Sequence, residues 1–147
     1  MNILVSACLL GVNCRYDGTG KLEECMKDLK QNHNLIPVCP EQYGGLPTPR
    51  EPAERVGDKI LTKTGVDVTK NYQKGADEVL KLAKILDCNY AILKERSPSC
   101  GYGVIYNGKF SGELIDGNGV LGTRLTENGI CVIGESKIEE IAKLDCI

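Results

Sequence analysis

The sequence predicts an α/β fold: a three-layer domain with a mainly parallel, Rossmann-like sheet flanked by helices, plus a small β-hairpin. Three observations predict it. Short apolar runs of strand length recur along the chain, apolar residues at helical spacing fall between them, and Asn107-Gly108 lies between two β-prone segments. Strands that alternate with helices imply parallel pairing through right-handed crossovers, and Asn-Gly is the preferred pair for a two-residue hairpin turn. The 147 residues suit one domain over residues 1–147, and its core must be aliphatic because Trp is absent.

Residues 2–8 read as a buried strand built on Ile3, Leu4 and Val5. A loop over residues 9–20 follows, with Asp17-Gly18 as its turn. Leu22, Cys25, Met26 and Leu29 repeat at helical spacing and predict a helix over residues 21–32. Leu35, Ile36, Pro37 and Val38 form a second strand. Residues 40–54 hold Pro40, Pro47, Pro49 and Pro52 with Gly44-Gly45. Proline removes a donor and turns the preceding residue away from helix, so this segment is expected to be an ordered irregular loop of the length that often carries function. Residues 59–61 are a short strand.

Thr69 is placed to cap a long helix whose apolar stripe comprises Tyr72, Ala76, Val79, Leu80, Ala83 and Leu86. Tyr90, Ala91, Ile92 and Leu93 form a third strand. Residues 104–106 and 109–111 are the predicted arms of the hairpin. A short helix over residues 119–128 is stopped by Gly129, and residues 130–133 are the last strand. Ser136 and Glu139 match a capping box that opens a final helix, with Ile138, Ile141 and Ala142 facing inward.

The formal net charge of −2 argues against a broad basic surface, so nucleic acid is not the expected partner. No stretch is long enough to span a membrane, and the first residues lack the pattern of a secretory signal. The expected location is the cytoplasm. There the eight cysteines stay reduced and serve as ligands, nucleophiles or small core residues rather than disulfides. A dinucleotide site is not supported, because no Gly-x-Gly-x-x-Gly follows the first strand.

Cys8, Cys39 and Cys100 each follow an apolar strand-like run. Ligands of open α/β sheets bind beyond the carboxyl ends of the strands, so parallel neighbours would bring these thiols together. Three thiolates beside a crevice describe a soft-metal or iron–sulfur site with a free position. The usual zinc and ferredoxin spacings are missing, so spacing does not name the metal. Cys14 lies in a strand-end loop and is a fourth ligand, a reserve thiol or inert. Cys25 and Cys131 read as small buried hydrophobes, while Cys88 and Cys146 have no chemical context. His33, the only histidine, reads as a surface residue or a charge at a helix end. Glu41, Ser97, Arg15, Arg50, Lys94 and Arg96 gather in the same strand-end loops.

Three motifs carry a family resemblance. Ser6-Ala7-Cys8-Leu9-Leu10-Gly11 with Arg15-Tyr16-Asp17-Gly18 resembles an opening motif. Cys39-Pro40-Glu41 with Gly44-Gly45-Leu46-Pro47-Thr48-Pro49-Arg50 is similar to a second, and Lys94-Glu95-Arg96-Ser97-Pro98-Ser99-Cys100-Gly101 to a third. Together they resemble a bacterial and archaeal iron–sulfur family that includes thiouracil desulfidases, and the likeness covers essentially the whole chain. It implies a 4Fe–4S cluster held by Cys8, Cys39 and Cys100, with one iron not ligated by protein. It also implies Glu41 as the acid/base carboxylate and Ser97 in the substrate pocket as a second catalytic residue. Arg15, Arg50 and Ser99 are the expected substrate-binding residues, and the expected partner is a small thiolated molecule such as 2-thiouracil.

The chemistry implied is hydrolytic. Iron is thiophilic and acts as a Lewis acid on a thiocarbonyl sulfur, while Glu41 moves a proton from the attacking water. No net electron transfer is needed. The alternative is a metal-binding or cluster-carrying module without catalysis, for which Glu41 and Ser97 have no use.

Overall fold

A computed structural model of the protein describes residues 1–144. Eight strands and five α-helices follow one another as β1 Asn2–Ser6, α1 Met26–Leu29, β2 Asn34–Val38, α2 Pro40–Tyr43, β3 Ala53–Val56, β4 Lys59–Thr62, α3 Thr69–Ile85, β5 Tyr90–Leu93, β6 Val104–Tyr106, β7 Leu114–Asp116, α4 Val120–Glu127, β8 Cys131–Gly134 and α5 Glu139–Leu144 among the described residues. The central sheet has the order β2-β1-β5-β8 and every pairing in it is parallel. The α/β fold with a mainly parallel sheet is therefore as the sequence predicts, and β3–β4 and β6–β7 add antiparallel hairpins.

Period-two alternation sorts the sheet's side chains into two cores. Leu4, Ala91, Leu93 and Val132 pack with Ala76, Val79 and Ala83 of α3 and Leu121 and Leu125 of α4. Ile3, Val5, Ile92 and Ile133 pack on the other face with Met26, Leu29, Ile138 and Ile141. These residues are aliphatic and fully or nearly fully buried, so burial of their apolar area is the main force holding the three layers together.

The chain leaves β1 in one direction to reach β2 and later returns on the other side as β5. That reversal creates a crevice beyond the carboxyl ends of β1 and β5. The Ser6 hydroxyl at the end of β1 accepts a hydrogen bond from the Lys94 backbone N–H, 2.9 Å away just past β5, and ties the two edges of the crevice.

Helix α3 is docked on α2 at very short range. An added Cβ at Gly75 would lie 1.8 Å from the Pro40 carbonyl oxygen, and one at Gly44 would lie 2.0 Å from the Asn71 carbonyl oxygen. The Asn71 side chain also donates to the Gly44 carbonyl at 2.9 Å. Gly75→Ala is accordingly expected to cost about 1–3 kcal/mol, the typical toll of overpacking, seen as a lower midpoint of denaturant unfolding; an unchanged midpoint would show that the two helices separate freely.

Several expectations need correction. Residues 21–32 hold only the short α1, because Lys21 and Glu23 donate to Cys8 and Leu9 carbonyls and the adjoining turns close mostly at i−3 spacing. In α1 the inward positions are Met26 and Leu29, so Cys25 is exposed rather than buried. Cys131 is also exposed, as the first residue of an edge strand. Residues 40–54 are not wholly irregular: Pro40 opens the single turn α2, where a missing N–H costs nothing, and β3 starts at Ala53.

Val104–Tyr106 pairs with Leu114–Asp116, not with residues 109–111. The Gly108 and Phe110 N–H groups instead donate to Glu54 Oε1 at 3.0 and 3.2 Å. Thr69 is the first residue of α3 rather than its cap; the N-cap position is Val68, and Asp67 Oδ1 accepts from the Thr69 N–H at 2.9 Å. The Ser136 N–H donates to Glu95 at 2.9 Å, which replaces the predicted capping box. His33 is buried, with Nδ1 3.2 Å from the Met1 amino group, not at the surface. The Ala142 side chain and Cys146 lie outside the described residues.

Candidate active site

All three strand-end cysteines reach the crevice. Cys8 sits in a 3-10 turn over Ala7–Leu10 immediately after β1, Cys39 follows β2 and precedes α2, and Cys100 lies in the loop after β5. They line one cavity of about 620 Å³, together with Cys14, Glu41, Arg15 and Ser97. A strand end is a rigid mount, so the parallel register of β2, β1 and β5 determines where each thiol can stand.

Burial is deep. Cys8, Cys14 and Cys100 are 8%, 2% and 5% exposed. Burial pushes the Cys100 thiol up to about 12, against lowering by hydrogen bonds with Ser6 and Ser99. The Cys39 thiol is also held well above its ordinary value, first by its hydrogen bond with Cys14 and then by burial. For Cys14 a hydrogen bond with Cys39 favours the thiolate, but a second with Cys8 and burial outweigh it, so that thiol too is raised. Cys14 therefore stands beside Cys8 and Cys39. Its backbone carbonyl also lies 3.8 Å from Cys39 Sγ.

Glu41 projects from α2 into the same cavity and makes a dense set of contacts. Its Oε1 accepts from the Tyr72 hydroxyl at 2.7 Å and from Arg50 Nε at 3.2 Å. Its Oε2 accepts from the Ser99 hydroxyl at 3.0 Å. Tyr72 is 2% exposed, and its hydroxyl is raised above its ordinary range by burial and then by the Glu41 charge.

Arg50 spends its guanidinium on the protein. Besides Glu41 it donates to the Pro47 carbonyl at 3.2 Å, the Thr48 hydroxyl at 3.0 Å and the Cys14 carbonyl at 2.9 Å. Ser99 is 1% exposed and is not part of the cavity lining. Ser97 does line the cavity, and its hydroxyl accepts from the Ser99 and Cys100 N–H groups, both at 3.2 Å. Because Ser99 donates to Glu41, Ser97 donates to Ser99 across 3.0 Å. Arg15 lines the mouth, and the turn beside it closes through Gly18 N–H to Arg15 carbonyl at 2.8 Å.

Tyr72 is the residue that sequence reasoning placed only in a core stripe. A phenol there was the available signal, since a buried tyrosine hydroxyl needs a partner.

Comparison with known proteins bears directly on this arrangement. The model of the 2-thiouracil desulfurase family matches residues 3–137. The chain belongs to that family. Among its relatives, the uncharacterized protein YbbK of Bacillus subtilis (strain 168) is 44% identical over 149 residues, spanning 95% of this chain and 99% of YbbK. Among solved structures, the 4Fe–4S-dependent thiouracil desulfidase TudS matches with a TM-score of 0.93 and 43% identity over 99% of each chain.

The donor set fits an iron–sulfur cluster. Its buried and half-buried thiols suit soft metal centres, and they come from three separate strand ends rather than from one tight knuckle. Among the described residues no group of three or more His, Cys, Asp and Glu side chains is arranged to hold a single metal ion. No helix is long and apolar enough to cross a membrane among the described residues.

Proposed function

We propose that the protein is an iron–sulfur-dependent desulfidase that converts a thiolated base such as 2-thiouracil into its oxo product and hydrogen sulfide, without net electron transfer. The observation that carries the proposal is the meeting of Cys8, Cys39 and Cys100 with Glu41 at one cavity. In this reading residues 1–147 act as one cytoplasmic domain on a small molecule, not on nucleic acid. Cys8, Cys39 and Cys100 hold the cluster, and one iron carries no protein ligand. Bound there, the cluster supplies thiophilic Lewis acidity toward the substrate's sulfur.

The chain's own residues do the proton chemistry. Oxygen Oε2 of Glu41 takes a proton as water attacks the thiocarbonyl carbon, and the carboxyl returns it as the carbon–sulfur bond breaks. That proton goes to the departing sulfur, directly or by way of the ring nitrogen, and the proton left on the new hydroxyl follows it as the carbonyl forms, so both protons of water leave with sulfur as hydrogen sulfide. Ser97 holds the loop that carries Cys100 and lines the cavity, where it orients the substrate or the water. Arg15 contacts the substrate at the mouth, Arg50 lines the cavity while bonded to Glu41, and Ser99 supports Glu41 from outside the lining. A simple cluster carrier has no use for a carboxylate held by donors from a tyrosine, an arginine and a serine.

Protein prepared without oxygen and reconstituted with iron and sulfide is expected to absorb in the visible and to release sulfide from 2-thiouracil. Intact cluster with no sulfide release would favour the carrier, and protein that takes up no iron would defeat the cluster assignment itself.

A further inference from the structure

The structure points to a role for α3 in the active site, and we propose that Tyr72 is a positioning residue that determines which oxygen of Glu41 works on the substrate. The inference rests on the proposed role of Glu41 as proton carrier.

Each carboxylate oxygen has two lone pairs to offer. Both on Oε1 are taken, one by Tyr72 at 2.7 Å and one by Arg50 at 3.2 Å. Oxygen Oε2 receives only Ser99, at 3.0 Å. One lone pair on Oε2 is therefore left for a proton from the cavity. Rotation of the carboxylate about its last bond would have to break the Tyr72 contact, and that contact is short and buried.

A second observation shows that this contact is built into the framework. Tyr72 lies between Asn71 and Gly75, the residues at which α3 meets α2. The Asn71 amide holds the Gly44 carbonyl at 2.9 Å, and Gly75 admits the Pro40 carbonyl where no side chain would fit. Pro40 is the neighbour of Glu41, so the helix that carries the phenol is pinned to the backbone that carries the carboxylate. Charge-assisted bonds such as Tyr72 to Glu41 are about twice as strong as neutral ones. Tyr72 also lines the cavity, but with its hydroxyl committed to Glu41 at 2.7 Å its part in the proposal is to hold the base.

The test is Tyr72→Phe in reconstituted protein, scored against wild type for iron and sulfide content, kcat and KM. The expected result is unchanged iron, KM within about twofold, and kcat about tenfold to a hundredfold lower, the scale on which outer partners tune a site. Because Tyr72 acts through Glu41, the double variant Tyr72→Phe with Glu41→Gln should be no slower than Glu41→Gln alone, since residues that act as a unit are non-additive. Wild-type kcat in Tyr72→Phe, a purely KM effect, loss of its iron, or full additivity would each overturn the proposal.

Should Tyr72→Phe fail to fold, Asn71→Ala loosens the same junction and keeps the phenol. Lower kcat at unchanged KM would then support the assignment, and unchanged kcat would overturn it. Wild-type protein that holds its cluster and releases no sulfide would instead refute the desulfidase reading, which separates the two failures.

Discussion

Cys100→Ala is expected to fold normally and to lose its cluster. Cys100 is buried beyond β5 with the Ser99 hydroxyl 3.7 Å from its sulfur, and Ser6 is a further hydrogen-bond partner. Removing an outer partner of a metal ligand already costs about 10–100-fold in affinity, and removing the ligand costs at least that. The fourth thiol of the cavity, Cys14, makes its thiol contacts with Cys8 and Cys39 and not with Cys100. The Ala side chain is smaller and apolar, so the native far-ultraviolet spectrum should persist while visible absorption, iron and sulfide disappear. Retention of wild-type iron would remove Cys100 from the ligand set. The same change at Cys39 is a less decisive experiment, because Cys14 is at hand there.

Glu41→Gln should have the opposite signature, with the cluster kept and turnover lost. Glutamine has the size of glutamate, and its carbonyl can still accept from Ser99 or from Tyr72. It has no ionised oxygen with which to take a proton. General acid–base groups contribute typically about 10²–10⁴-fold, and a loss of that size in kcat is expected. Iron and sulfide content should match wild type within error. Appreciable turnover in Glu41→Gln would place the proton carrier elsewhere, and loss of iron would make Glu41 a structural support of the Cys39 loop.

Much of this arrangement is legible before any coordinates, because strand ends are local features. The apolar runs at residues 3–5, 35–38 and 90–93 mark where strands stop, and a cysteine after each marks what stands there. Parallel order then follows from the alternation with helices. What eludes the sequence are partnerships that span it. Arg50 reads as a loop cation for the substrate, yet its donors are engaged by Glu41, Pro47, Thr48 and Cys14. Asn107-Gly108 reads as a tight turn, yet Glu54, more than fifty positions earlier, takes the N–H groups of Gly108 and Phe110. Tyr72 has the right spacing for a core residue and is one, while its hydroxyl serves Glu41. Cys25 fails for a different reason: only one turn of the predicted helix forms, so the stripe that would have buried it is not continued.

The clasp between the two hairpins has a consequence for how this scaffold can be re-engineered. Pro52, Ala53, Glu54 and Tyr106 form part of the cavity wall, and Glu54 joins one hairpin to the other. None of them belongs to the strands whose ends carry the thiols. The molecule thus separates a thiol-bearing floor, the proposed seat of the cluster, from a roof made of the two hairpins. New selectivity can be sought by exchanging both hairpins as a unit, with Glu54 and its two backbone donors kept together, and without redesigning the metal chemistry beneath.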